Sequence, residues 1–523
     1  MLISAKNISR DQNRMVELPL SKSESNRALM IMHYYGIEEL RNSGIKGDGN
    51  SMVPELVEGS SSSPRQAQQL NEVKDLASRC LGVSVSLSNS DDTVLLQKHL
   101  NAINQYIKDC EQDLLSEVRS PLTLDCHNAG TVFRFLMTAV ANLYLGVSVT
   151  RCLGVLLTGS ERMKSRPIDS LVDALRSLGV SIEYQGREGY PPILISSTNL
   201  ANHPESSSPN NTCDSRDPWM PNPRDTWRLE ISAEQSSQFA SSLLLAAPLW
   251  KNGLELHLTG NLSSLPYIDM TIDMMRQCGI DVVRNDRDIM VKPGCYNVEN
   301  IKVEPDWSAA AFWYEIASFS DNAEILLKNL NINSLQADAA AIKMFQCLGV
   351  ETLPVKEGVL LKKVNSQRST VNGNSSVGCQ FKVQSSELKV QSSELKVQSS
   401  TFNFKDCPDL FPAVIAACAG NKVNATFTGL KNLSIKESDR KHAMMKELSK
   451  INISFEDISD DELRMFCPEE LPYFTAESPI VFDNYEDHRI AMALSVLSMK
   501  IGTVSMENTE VVSKSYPGFF DTL

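Results

Sequence analysis

The sequence lacks the features that mark several large classes of protein. Its 12 cysteines fall singly, with no Cys-x-x-Cys pair, which argues against a zinc ribbon or a disulfide framework. No long apolar run is present. The longest, Phe239 to Trp250, is about 12 residues with two serines, where roughly 18 or more would span a bilayer. The first residues, MLISAKNISRDQNR, contain no apolar signal core. Basic charge is in deficit too: 50 Lys and Arg against 64 Asp and Glu leave a net charge of −14. That balance speaks against a general nucleic-acid surface or an anionic membrane, while leaving room for a small anion in a local cationic pocket. The expectation is a soluble protein of a reducing compartment, cytoplasmic by default.

What is present is length and repetition. At 523 residues, one hydrophobic core is improbable. An amphipathic helix followed by Gly and a short strand recurs as LVDALRSLGVSIEY, TIDMMRQCGIDVV and AAAIKMFQCLGVETL, and again as HAMMKELSKINISFE with Asn452 in the glycine's place. Gly or Asn just beyond a helix suits a left-handed C-cap. Interleaved with these are helices of small apolar residues, such as QFASSLLLAAPLW, DWSAAAFWYEIASF and DLFPAVIAACAG, which can pack closely on nearly all sides. The spacing predicts repeated β-α-β-α-β-β modules, about six of them, gathered into two domains. Three stretches break the pattern, 46–82, 203–225 and 365–400, the last with the heptad copy KVQSSELKVQSSELKVQSS. They read as surface insertions, flexible or disordered.

Charged and polar residues gather where strands give way to helices. SKSESNR holds Lys22, Ser23 and Arg27, and HNAGTVFRF holds Asn128, Gly130, Thr131 and Arg134. LTGSERMKSRPIDSL brings Arg162, Lys164 and Arg166, SSQF brings Ser236, Ser237 and Gln238, and LPYID brings Tyr267, three residues after Ser264. Later in the chain, DCPDLFPA places Asp409, and NLSIKESDR places Asn432, Lys436, Glu437 and Arg440. NYEDHRIAM then contributes Asp487, His488 and Arg489, and SKSYP contributes Lys514. Taken singly, each is an ordinary helix cap or solvated loop. If the helix starts converge, their dipoles and cations make a positive cleft for a ligand with phosphate and carboxylate groups. Asp409 and Glu437, set among cations, would then be placed for proton transfer.

Together, and in this order along nearly the whole chain, these motifs resemble those of the 3-phosphoshikimate 1-carboxyvinyltransferase (EPSP synthase) family. The resemblance implies an α/β fold, a two-domain inside-out α/β barrel in which each domain is built from three βαβαββ units. Residues 1–20 and 306–523 would form one domain and 21–305 the other, with crossovers near 20 and 305. It implies transfer of an enolpyruvyl group from phosphoenolpyruvate to the 5-hydroxyl of shikimate-3-phosphate, with no metal or organic cofactor, by a monomer. Carried over by motif, shikimate-3-phosphate would be held by Lys22, Ser23, Arg27, Ser236, Ser237, Gln238, Ser264, Tyr267, Asp409, Asn432 and Lys436. Phosphoenolpyruvate would be held by Lys22, Asn128, Gly130, Arg162, Gln238, Arg440, Arg489 and Lys514. Asp409 would accept the hydroxyl proton, Glu437 would protonate the methylene carbon, and Lys22 would neutralise charge in the intermediate.

The chain departs from the family pattern at His127, Phe135 and Leu20, where Gly, Pro and Gly are usual. Bulk at 127 and 135 is expected beside the phosphoenolpyruvate pocket. Two other readings stand beside this one. UDP-N-acetylglucosamine enolpyruvyl transferase shares the fold, but usually has Asn where Ser23 stands and a reactive Cys in a Pro-Gly loop. A relative that binds ligand without turnover is the other.

Overall fold

The computed structural model describes residues 1–3, 11–42, 85–112, 120–146, 154–196, 226–232, 236–262, 264–364 and 400–523. The proposed insertions at 46–82 and 203–225 lie outside the described residues, as does 365–400 except for Ser400.

Two short strands open the chain, β1 (Leu2–Ile3) and β2 (Asp11–Val16), and both pair with strands far along the sequence. The repeated unit is clearest next. β3 (Leu122–Asp125) leads through the helix Gly130–Gly146 to a parallel β4 (Val155–Thr158). The helix Asp169–Ser177 then feeds β5 (Ser181–Tyr184) and β6 (Ile193–Ser196), giving the order β3-β4-β6-β5. The same order returns with β7 (Trp227–Ser232), β8 (Leu254–Thr259), β9 (Val282–Asn285) and β10 (Asp288–Val291). In the next unit β11 (Asn322–Lys328), β12 (Val350–Val355) and β13 (Gly358–Lys363) take β2 as their first strand, parallel to β11. β14 (Ser400–Asn403), β15 (Ala425–Thr428), β16 (Ser454–Ser459) and β17 (Glu462–Phe466) repeat the order once more. Finally β18 (Ile480–Phe482) runs parallel to β19 (Val504–Met506), whose other edge takes β1.

The helix ends follow the sequence signal. Gly179, Gly279 and Gly349 have φ of 91°, 85° and 79°, and Asn452 in the fourth copy has φ 63°. Each is the left-handed residue that ends a helix and turns the chain into the next strand. Three of the small-residue helices are buried throughout: every residue of Trp307–Phe319, Phe411–Gly420 and His488–Val496 is inside. Burial is in two hydrophobic clusters. One joins Val16 to residues between Trp307 and Phe519, the other runs from Ala28 to Ile301. The segments near 20 and 305 lie side by side, with a bridge between Leu20 and Pro305 and the Ser21 amide donating to the Glu304 carbonyl at 2.7 Å. This pairing, together with the strand order above, brings helix starts from distant parts of the chain to face one another.

Candidate active site

Arg440, the first residue of the helix Arg440–Ser449, is the hub of the site. Its side chain is 1% exposed and touches three carboxylates. Nη1 donates to Asp409 at 2.7 Å, Nη2 to Glu437 at 2.8 Å and Nε to Asp487 at 2.8 Å. Asp487 also caps the helix His488–Val496 through the Arg489 amide at 3.0 Å, so one carboxylate orients two arginines. Asp409, in the turn Pro408–Leu410 before a buried helix, takes Arg489 Nη2 on its second oxygen at 2.9 Å. Lys436 Nζ stands 3.4 Å from its first oxygen. Glu437 meets Lys514 Nζ at 3.5 Å.

The earlier half of the chain closes over this cluster. Lys514 Nζ donates to the Asn128 carbonyl at 3.0 Å. Arg162 donates from Nη2 to the carbonyls of Ser434 and Lys436, each at 2.8 Å, and from Nε to that of Glu437 at 3.2 Å. Its fork thus grips the backbone that carries Glu437. The Ser264 amide donates to the Lys405 carbonyl at 3.2 Å. Lys22, which begins the helix Lys22–Asn42, places Nζ 3.2 Å from Asp92.

The electrostatics follow from these contacts. Burial tends to raise the Asp409 carboxyl, but Arg489, Lys436 and Arg440 overcome it and hold it well below the usual carboxylate range. Glu437 behaves alike: burial is outweighed by Lys514, Arg440, the His488 ring and Lys22. Both are carboxylates near neutral pH. Burial works to lower Lys22, yet Asp92, Glu437 and Asp409 raise it above its ordinary value. Tyr267 is pushed well above its ordinary value by burial and by Asp338 and Asp409, so its phenol stays protonated as a donor.

The residues expected at the site are placed as follows. Lys22, Asn128, Arg162, Asp409, Lys436, Glu437, Arg440, Arg489 and Lys514 belong to one connected network. Gln238 lies beside it, donating to Thr131 at 2.6 Å and accepting from Arg134 at 2.8 Å, while Ser236 caps its helix. Ser237, next to it, is buried. Arg27 is committed inward: it donates to Thr271, Ser241 and the carbonyls of Ser23 and Tyr267. Asn432 lies in the 3-10 turn Lys431–Ile435 before the Glu437 loop.

Two of the departures from the family pattern have contrasting settings. The His127 side chain is 72% exposed, beside Asp125, and its φ of 47° is the conformation glycine adopts readily. Phe135 is fully buried, with its ring centroid 5.8 Å from the Arg27 guanidinium carbon, so it supports Arg27 from the core.

The sequence reading assigns no role to Asp92, Arg166, Asp338 or Asp487, all buried. Asp487 and Arg166 lie inside recognised motifs, and a count of charges needing partners would have pointed to both. Asp92 and Asp338 carry no local signal and reach the site only through tertiary folding. Among the described residues no group of His, Cys, Asp and Glu is arranged to hold a metal ion. Also among the described residues, no helix is long and apolar enough to cross a membrane.

The chain is similar to known proteins over most of its length. The family model for EPSP synthase (3-phosphoshikimate 1-carboxyvinyltransferase) matches residues 90–206 and 222–523. A 3-phosphoshikimate 1-carboxyvinyltransferase of Bacteroides fragilis is 34% identical over 442 residues, covering 84% of this chain and 88% of that one. One from Sulfurovum sp. is 27% identical, covering 97% and 95%. In structure, the chain is similar to the EPSP synthase of Acinetobacter baumannii, with a TM-score of 0.55 at 18% identity over 99% of this chain and 96% of that one. The enolpyruvyl transferase NikO of Streptomyces tendae shares the fold at a TM-score of 0.51 and 11% identity, over 100% and 96%.

Proposed function

The chain belongs to the EPSP synthase family, and on that premise we propose that its converged residues transfer the enolpyruvyl group of phosphoenolpyruvate to the 5-hydroxyl of shikimate-3-phosphate. The observation that carries the reading is the attachment of Asp409 and Glu437 to one guanidinium, Arg440. Two carboxylates on a single support are held at a fixed separation, as a proton acceptor and a proton donor acting on one substrate pair require.

In the proposed reaction Asp409 takes the proton of the 5-hydroxyl as that oxygen attacks C2 of phosphoenolpyruvate. Glu437 delivers a proton to C3, which becomes a methyl group. The tetrahedral intermediate then breaks its C–O bond to phosphate, and C3 returns a proton, leaving the enol ether. The low proton affinity of Asp409 suits an acceptor that must be ionised beforehand. Glu437 must first gain a proton. Phosphoenolpyruvate supplies the reason: its negative charge beside Lys514 and Lys22 offsets the cations that hold Glu437 ionised, so its pKa rises on binding. Lys22 and Lys514 balance charge in the intermediate.

Shikimate-3-phosphate would lie along Lys22, Ser23, Arg27, Ser236, Ser237, Gln238, Ser264, Tyr267, Asn432 and Lys436, with its 5-hydroxyl on Asp409. Phosphoenolpyruvate would lie against Asn128, Gly130 and Arg162, facing Arg440, Arg489 and Lys514. Two domains, 1–20 with 306–523 and 21–305, would close on the pair as an inside-out α/β barrel, a division supported by the two hydrophobic clusters. A cytoplasmic monomer is the proposed working form. Phosphorus NMR of the protein with both substrates tests the reading: inorganic phosphate and the enolpyruvyl ether should appear in equal amounts. Phosphate released only when UDP-N-acetylglucosamine is the acceptor would overturn it.

A further inference from the structure

We propose that Arg166 is a further substrate-binding residue, which together with Arg134 seats the phosphoryl group of phosphoenolpyruvate against Gly130. The proposal rests on the substrate pair given above and adds a residue to its site. Arg166 is 8% exposed and Arg134 is 3% exposed. Nε and Nη1 of Arg166 and Nε of Arg134 are buried with no hydrogen-bond partner. Both guanidinium groups reach the same point: a Cβ on Gly130 would overlap Arg166 and stand 2.7 Å from Arg134 Nη1. Two like charges are thus pressed against one glycine.

A buried guanidinium with idle N–H groups is costly, and a second one beside it adds repulsion. An anion with several oxygens relieves both at once. Two other cations of the cleft already carry carboxylates, although Nε of Arg489 is likewise buried without a hydrogen-bond partner. Arg440 is taken by Asp409, Glu437 and Asp487, and Arg489 Nη2 by Asp409. Burial, with Arg162 and Arg440 nearby, lowers Arg166 from its ordinary value even though Glu437 and Asp92 act to raise it, so the carboxylates leave the charge under-compensated. The influence of Glu437 also puts the seat next to the group proposed to protonate C3 of the same phosphate-bearing molecule. Two planar forks converging on a backbone with no side chain suit a tetrahedral dianion better than a planar carboxylate. Without a Cβ at 130, both guanidinium groups can stand against the helix start Gly130–Gly146, where they and its free amides would face the dianion together.

Arg166→Gln and Arg166→Lys test this, with inorganic phosphate alone as the first probe by calorimetry. Phosphate affinity should fall at least about tenfold in Arg166→Gln, as loss of charge-assisted hydrogen bonds implies. Arg166→Lys should recover part of it. The KM for phosphoenolpyruvate should rise in parallel, while shikimate-3-phosphate affinity stays within about twofold. Unchanged phosphate affinity and unchanged KM in Arg166→Gln would overturn the proposal, as would equal weakening of both substrates. If Arg166→Gln loses the fold, the wild-type protein decides: phosphate must raise its Tm, and less so in Arg166→Lys. No rise in the wild type counts against the seat. Phosphate binding is read without turnover, so failure of the substrate pair to react would sink the assigned function and leave this result distinct.

Discussion

Arg440 and Arg166 are both buried arginines beside a helix start, and they differ in almost everything else. Every nitrogen of Arg440 meets a carboxylate, whereas Nε and Nη1 of Arg166 have no hydrogen-bond partner. Burial lowers the proton affinity of each, but Asp487, Glu437 and Asp409 reverse this for Arg440, whereas Arg166 stays below its ordinary value. A saturated cation is a scaffold that holds acid–base groups at fixed positions. An unsaturated one is a place for a ligand. The charge that the protein leaves uncompensated thus separates the two functions within one cleft.

The comparison breaks most visibly on deletion. Arg440→Met would leave three buried carboxylates without their common partner and should cost about 3–5 kcal/mol in urea unfolding. Arg166→Met removes an unpaired charge and should change stability by no more than about 1 kcal/mol. Equal losses would erase the distinction. Next in size, Asp409→Ala and Glu437→Ala should lower turnover by about 10²–10⁴-fold while shikimate-3-phosphate still binds in calorimetry. Wild-type rates in both would remove their assigned roles. Gly130→Ala puts a methyl group into the two guanidinium groups. It should raise the KM for phosphoenolpyruvate by about tenfold and spare the other substrate.

A further effect concerns a third kind of buried group, a carboxyl whose proton affinity is raised by burial. Glu24 accepts the Glu304 amide at 2.7 Å beside the paired segments near 20 and 305. Burial, with Glu304 and Asp306 nearby, raises it from 4.5 to about 7. The folded protein therefore holds this proton more tightly than the unfolded chain. The stability it contributes is full below about 4.5 and is lost as pH rises through about 7. Glu24→Gln should flatten that part of the stability–pH profile, on the order of 2–3 kcal/mol across the window. An unchanged slope in urea titrations would show that Glu24 titrates normally.

Much of this was legible in the sequence because the local rules were strong. Helix–Gly–strand units could be read from amphipathic spacing, and Asn452 could be matched to the glycines because both adopt the left-handed turn. Asp409, Glu437 and Arg440 were legible as a set because they occur in motifs whose order is specific. Asp92 and Asp338 were not, since only the meeting of distant helices gives them partners. The setting of Phe135 was not legible, because its place next to Arg134 does not disclose that its ring lies in the core beside Arg27. Nor was that of His127, whose left-handed backbone and exposed side chain come from the turn it occupies. Sequence order does not disclose that choice of side.

The central claim, that Glu437 moves a proton onto C3 and that C3 then gives one up, is tested most directly by running the reaction in D2O. The account predicts deuterium in the vinyl group of the product from the wild-type protein, seen by proton NMR and mass spectrometry. A product with an undeuterated vinyl group, formed at full rate, would contradict it.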